Sequence, residues 1–273
     1  MTELALTLRT PPRLRVDMRG VTPLALAALD ADAIAKHAVW HGNEKLALGE
    51  LFAIKRKERH DDTPSVRLAG DLARFDRIGW MLDGGHLHVE GAAGDYLGAL
   101  MTAGTLECSG DAALFAGCEM AGGSLHVGGS VGDFAGATQA GSMDGMRGGA
   151  FIVHGDAGER LGDRMRRGLL AVFGNAGDCA ASRMVAGTIA IGGTLGAQPA
   201  FGMRRGTLVL AHAHPQLPPT FVRTTHDITV FWRLLARQIA ALGGAFANLG
   251  SRSPTRLVGD LAVEGKGEVL FFR

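Results

Sequence analysis

A glycine-led unit of 19 residues dominates the middle of this chain. Units open at Gly85, Gly104, Gly123, Gly149, Gly168, Gly187 and Gly206, at spacings of 19, 19, 26, 19, 19 and 19. The 26 is one unit plus a seven-residue insertion around residues 139–145. A degenerate, slightly longer turn precedes them, at about residues 64–84. The pattern is G-x-φ-x-φ-x-G-x-x-G-D-x-x-G-x-x-M-x-x, with φ apolar, as in GHLHVEGAAGDYLGALMTA and GAFIVHGDAGERLGDRMRR. It accounts for a glycine content of 41 in 273, roughly twice the usual ~7%.

Nineteen residues are too few for a helical-hairpin repeat, which needs about 33. Each unit opens with period-two alternation, as in Leu87 and Val89 or Ile189 and Ile191, which is a strand signature. Glycine every three or four residues would weaken any helix in the remainder. Short strands joined by glycine corners at fixed length predict a mainly β chain whose centre is a parallel β-helix. About seven coils at ~4.8 Å per strand give a prism on the order of 30 Å long. Aromatic residues are only 6% of the chain while hydrophobic ones are 47%, so small aliphatics fill the core.

The ladder assigns roles. Leu106 and Cys108, Phe151 and Val153, and Leu208 and Leu210 point inward. Met101, Met120, Met146, Met165, Met184 and Met203 share one register. Thioethers bind soft metals, and they also stack well as a core column. Gly98, Gly117, Gly136 and Gly162 are expected corners with positive φ. Asp95, Asp133 and Asp178 are expected to accept hydrogen bonds from local corner amides.

Three regions follow. Residues 1–63 form a small α/β entry segment, 64–211 the β-helix, and 212–273 an extension with a helix and a closing strand. In the first, Thr22-Pro23 predicts a capped helix, and Asp30 caps a second at about 31–39. A turn at Gly42-Asn43 leads to a strand near 51–54 and a solvated charge run, KRKERHDD. The chain leaves the repeat through Pro215, Pro218 and Pro219. Asp227 then caps a helix near 228–242, with Trp232, Leu235, Ile239, Leu242 and Phe246 at helical spacing. Gly243-Gly244 stops it.

Three groups of side chains are candidates for function. Arg147, Arg164, Arg166, Arg167, Arg183, Arg204 and Arg205 line up beside the methionines. Such a stripe suits a polycarboxylate or an acidic partner, because guanidinium groups bind carboxylates bidentately; surface solubility is the plain alternative. His88, Glu107 and His126 are each 19 apart and stack in one outward column. They could hold a metal or form a solvated ladder, and His41 and Glu44 make a weaker pair. Finally, outward positions turn apolar in the later units, at Ile152, Leu169, Ala171, Phe173, Ala190 and Val209. An apolar face must be covered, by the C-terminal helix or by a partner subunit.

A net charge of +1 argues against a nucleic-acid partner. No apolar run reaches membrane-spanning length. The first fifteen residues lack a signal-peptide core. Cys108, Cys118 and Cys179 form no disulfide framework, so the expected setting is cytoplasmic. No nucleophile sits beside a base in a readable motif. The expectation is a structural or interaction protein, with no catalytic residue and no metal of its own.

The GxxGxxxGxxM units resemble the GXGXG right-handed β-helix shared by two groups. One is the C-terminal domain of the large subunit of glutamate synthase, and the other is the C-subunit family of formylmethanofuran dehydrogenase. VWHGNEKLALGELFAI (39–54) and RLVGDLAVEGKGEVLFF (256–272) are similar to the entry and exit segments of the latter. The resemblance implies a non-catalytic bridging subunit of a formyltransferase/hydrolase complex. That complex moves formyl from formyl-tetrahydromethanopterin to a methanofuran-like (methylofuran) carrier and releases formate. The implied partners are an amidohydrolase-like subunit that carries the metal, a degenerate molybdopterin-enzyme-like subunit, and the formyltransferase subunit. The carrier's glutamyl tail is one candidate for the arginine stripe. Lysine occurs at only positions 36, 45, 55, 57 and 266 among 28 basic residues, a bias of GC-rich bacteria, which points to the methylotroph setting. The alternatives are the C subunit of a molybdenum or tungsten formylmethanofuran dehydrogenase, and a glutamate synthase-type spacer domain.

Overall fold

The computed structural model describes residues 2–58, 63–212 and 216–272. The chain begins with β1 (Thr2–Leu8), whose alternating Leu4 and Leu6 are buried. After β2 (Val16–Asp17) come two short helices, α1 (Pro23–Ala27) and α2 (Ala31–Lys36). Thr22 caps α1 by accepting from the Ala25 amide, and Asp30 caps α2 by accepting from the Ala33 amide at 2.8 Å. Helix α2 stops at Lys36, short of the expected 39. Residues 38–41 instead form β3 (Ala38–His41), which turns at Gly42 and Asn43 into the antiparallel β4 (Glu44–Ala47). A helical turn α3 (Leu48–Leu51) leads into β5 (Phe52–Glu58). Residues 55–58 of the charge run therefore belong to a strand, and residues 55–57 are exposed, as a solvated run requires. They pair antiparallel with β1 at the edge of the large sheet, where lysine and arginine discourage further strand addition. The rest of that run, residues 59–62, and Pro215 lie outside the described residues.

Each unit then contributes one parallel strand. These are β6 (Ser65–Ala69), β8 (Asp83–Glu90), β9 (Ala103–Cys108), β10 (Ser124–Val127), β11 (Arg147–Val153), β12 (Arg167–Val172), β13 (Thr188–Ile191) and β14 (Thr207–Leu210). Between the first two, β7 (Phe75–Asp76) pairs with β2 in a separate four-stranded sheet. In the large sheet β1 lies parallel to β6, and β6, β8, β9, β10, β11, β12, β13 and β14 follow in order. The register advances one unit per strand, so Leu87, Leu106, Leu125, Phe151, Leu170, Ile189 and Leu208 form one buried column. A second set of parallel bridges runs Leu72, Ala93, Ala112, Val131, Ala157, Ala176 and Leu195.

The leading glycines have a steric cause. Gly123 has φ +78, and a Cβ there would lie 2.5 Å from Cε of Met101 and 2.8 Å from the Gly104 carbonyl oxygen. Gly168, at φ +97, meets Met146 and Gly149 in the same way. Met101, Met120, Met146, Met165 and Met184 therefore each pack under the leading glycine of the unit after next, Met203 packs against Gly267, and all six of the column are fully buried. Gly98, Gly117, Gly136 and Gly162 have φ between +61 and +66, as expected of the corners. The aspartates work between units, not locally. Asp95, Asp133 and Asp178 accept from the amides of Leu114, Glu159 and Ala197 in the following unit, at 3.1, 2.8 and 2.6 Å.

After the repeat, β15 (Val222–Arg223) precedes α4 (Thr229–Ala240). Asp227 accepts from the Thr229 amide and hydroxyl, at 2.8 and 2.6 Å, and these bonds hold its carboxyl below the usual carboxylate range. The helix ends before Gly243 and Gly244, both at positive φ. Phe246 lies beyond the helix, in a 3-10 turn, and is buried. Next come β16 (Thr255–Gly259) and β17 (Gly267–Phe271). Strand β17 adds parallel to β14, and β16 and β15 close that edge antiparallel. The result is mainly β, with a large mixed sheet and a C-terminal helix.

That helix covers the apolar half of the outer face. Ile152, Leu169, Ala171, Ala190 and Val209 are buried with Trp232, Leu235, Ala236, Ile239, Phe246 and Phe272 in a second core. Phe173 packs at its margin, 5.0 Å from Phe246. The expectation of a partner interface at Ile152, Leu169, Phe173 and Val209 is therefore corrected. The chain buries this surface itself, because its own amphipathic helix presents a matching stripe.

Candidate functional site: an arginine-lined groove

Arg147, Arg166, Arg167, Arg204 and Arg205 line one groove with Val185 and Ala186 between them. The cause is the repeat. The two positions after each methionine lead toward the next strand, and in the later units they carry Arg147, then Arg166 and Arg167, then Val185 and Ala186, then Arg204 and Arg205. Arg147 pairs with Arg167 across the β11–β12 ladder. An adjoining depression holds Arg164, Arg166, Arg183 and Arg204 beside Met143, Phe201, Asp260, Ala262 and Val263.

The seven arginines are not equivalent. Arg166 forms an ion pair with Asp144 of the insertion. Arg183 donates to Asp163 through Nε at 2.9 Å, and this bond raises its pKa further. Asp163 is buried and also accepts from Ser182 at 2.6 Å. Arg164 lies 2.9 Å from the Met143 sulfur. Arg147, Arg167, Arg204 and Arg205 are exposed. Among the described residues none of these four has a carboxylate within ion-pair distance. Four guanidinium forks in an open groove suit a ligand with several carboxylates, with an attraction that salt weakens.

The second candidate column assembles only in part. His88, Glu107 and His126 are neighbours in register. His88 Nδ1 is 3.4 Å from Glu107, whose side chain is 58% exposed. His126 turns to the Ser124 hydroxyl, 2.8 Å away. Burial pushes the His126 pKa down, Glu107 opposes this, and His154 adds to it. Among the described residues no group of three or more His, Cys, Asp or Glu side chains is arranged to hold a metal ion. His41 Nε2 accepts from the Leu14 amide at 3.2 Å, and Glu44 is exposed across the hairpin turn. Burial pushes the Cys108 and Cys118 thiols up to about 11 and about 12, so neither is a thiolate nucleophile at neutral pH.

One array is not anticipated by the sequence patterns above. Tyr96, Phe115 and Phe134 stack in parallel, with centroids 4.9 Å apart at each step. Arg77 lies 5.2 Å over Tyr96, and Arg160 6.0 Å over Phe134. All three aromatic residues have φ between +62 and +64, a region that bulky side chains rarely adopt. Their spacing of 19 residues was the available signal.

The repeat and its ladder define a GXGXG-motif protein: the family model for the GXGXG motif matches residues 60–225. A chain of the crystal structure of the formyltransferase/hydrolase complex from Methylorubrum extorquens, in complex with methylofuran, superposes with a TM-score of 0.88 at 42% identity. The match covers 98% of this chain and 99% of that one. The C subunit of the formyltransferase/hydrolase complex of that organism is 44% identical over 80 residues, 29% of each protein. The C subunit of a molybdenum-containing formylmethanofuran dehydrogenase of Methanosarcina barkeri is 31% identical over 95 residues, 34% of this chain and 32% of that protein. These aligned stretches span about a third of the curated relatives' length. The chain belongs to the C-subunit family of formylmethanofuran dehydrogenases, which includes the C subunits of formyltransferase/hydrolase complexes. Its relatives are named as subunits of multi-subunit enzyme complexes. Among the described residues no helix is long and apolar enough to cross a membrane.

Proposed function

We propose that this chain is the non-catalytic C subunit of a cytoplasmic formyltransferase/hydrolase complex, and that it bridges the complex's active subunits. The complex would transfer formyl from formyl-tetrahydromethanopterin to a methylofuran-type carrier and release formate. In this reading the amidohydrolase-like subunit holds the metal, and this chain holds no cofactor. The observation that carries it is the end-to-end similarity to a chain of the methylofuran-bound complex. The 19-residue register, repeated in the sheet and in the second column of bridges, supports a right-handed parallel β-helix over 64–211. That form would serve as a rigid spacer between the 1–63 and 212–273 segments.

The groove would guide the carrier's glutamyl tail or dock an acidic neighbour. Arg147, Arg167, Arg204 and Arg205 would do this directly. Arg164, Arg166 and Arg183, already engaged within the chain, would shape the groove. Purification of the tagged chain from its native source tests the assembly. Three further subunits with formyl transfer and formate release are expected; molybdenum or tungsten in the eluate would instead indicate a dehydrogenase. In the assembled complex, Arg204→Glu with Arg205→Glu should weaken carrier binding about tenfold or more at low salt, with a smaller loss at high salt. Unchanged carrier affinity and unchanged assembly would sink the groove's role.

A further inference from the structure

Helix α4 has two faces. Trp232, Leu235, Ala236 and Ile239 face the second core. The opposite face exposes Val230, Phe231 and Leu234, at 74%, 42% and 67% of their surface. These three side chains are neighbours, because positions three and four apart share a helix face. Arg233 and Arg237 border them, and no carboxylate occurs on the helix. At the start of the helix a cleft is lined by Arg223, His226, Asp227, Arg233, Arg252 and Arg256. Arg256 is neutralised by Glu268 at 2.8 Å. Asp227 holds Thr229. Arg252 donates to the Ala211 carbonyl at 3.1 Å and lies 4.4 Å over the Phe272 ring, whereas among the described residues Arg223 and Arg233 have no ion pair.

An apolar strip with cations at its edge and a cationic cleft continuous with it calls for a complement with the opposite arrangement. We infer that the outer face of α4 is a docking surface for another protein of the complex. The docking element is an apolar strip bordered by carboxylates, one of which enters the cleft at Arg223 and Arg233. A second copy of this chain would set arginine against arginine across a two-fold axis, so the charge favours a different, acidic partner. The surface is separate from the arginine groove, and the inference rests on the proposed membership of a complex.

The test uses the complex assembled in its native source. A photo-crosslinking phenylalanine analogue at position 231 is expected to join one partner protein, at a peptide where apolar residues alternate with Asp or Glu. Leu234→Glu and Arg233→Glu should each reduce that partner's retention about tenfold or more. Carboxylate-to-arginine reversal in the crosslinked peptide should restore binding to the Arg233→Glu chain alone. Circular dichroism and melting temperature of the variants check that α4 remains folded. A crosslink to a second copy, a crosslinked peptide without acids, or full retention in both variants would overturn the inference. If no complex is recovered with the unsubstituted chain, the proposed function fails. If the complex forms and only the α4 variants are silent, this inference alone fails.

Discussion

One outward column of the large sheet runs His88, Glu107, His126, Ile152, Ala171, Ala190 and Val209 in continuous register. Its first three members are polar and Glu107 stands in solvent; its last four are buried under α4 and the segment after it. The backbone ladder is the same in both halves, and so is the methionine column behind it. What differs is whether another element arrives to cover the face. A repeat of parallel strands thus specifies its buried columns unit by unit, while the use of the opposite face depends on what the flanking chain brings back.

The sharpest way to break this comparison is the same charge in both halves. Val209→Asp places an unpaired carboxylate under α4 and should cost about 4 kcal/mol or more. Glu107→Asp in the same column should change stability by less than about 0.5 kcal/mol. Urea unfolding measures both, and equal effects would mean that α4 does not cover the column. The interior should behave alike on both sides. Gly123→Ala and Gly168→Ala each force positive φ on a Cβ and push it against a methionine and a carbonyl. Each should cost about 3 kcal/mol, and a difference above about 1 kcal/mol would show that the two halves pack differently. The inter-unit aspartates come next. Asp178→Ala loses the Ala197 amide, and Asp95→Ala loses the Leu114 amide and a partly exposed ion pair with Arg15; each should cost about 1 kcal/mol.

The smallest effect is a pH dependence confined to the polar half. Burial lowers the His126 pKa below its ordinary 6.5. Above about pH 7.5 the ring is essentially uncharged in both the folded and unfolded chain, so it contributes almost nothing. As pH falls through 6.5 the unfolded chain takes up the proton first, and stability declines until the folded-state pKa is passed. His126→Gln should flatten the stability profile just below pH 6.5 while leaving it unchanged above pH 7.5. Identical profiles would show that the ring titrates normally in place.

The repeat was legible because a fixed spacing needs no knowledge of distant partners. So were the Thr22 and Asp30 caps, satisfied within three residues, whereas Asp227 does not cap its helix as expected but bonds Thr229 from one position before the N-cap, Ile228. The alternation of Leu4, Leu6 and Leu8 was equally present. Its meaning depended on β6, about sixty residues on, and on the charged β5 that closes the edge. The arginine stripe was visible as a register, yet its division into engaged and available cations was not. Asp144 and Asp163 reach Arg166 and Arg183 across a turn of the repeat.

The sequence by itself determined the 19-residue unit, the inward columns and the glycine corners, since each follows from sterics local to one unit and its copy. Only the tertiary structure decided which outward face stays in water, which arginines remain unpaired, and that β17 returns beside β14 after the helix. Those outcomes depend on burial and charge pairing between segments far apart in the chain, and no local pattern encodes the geometry of their meeting.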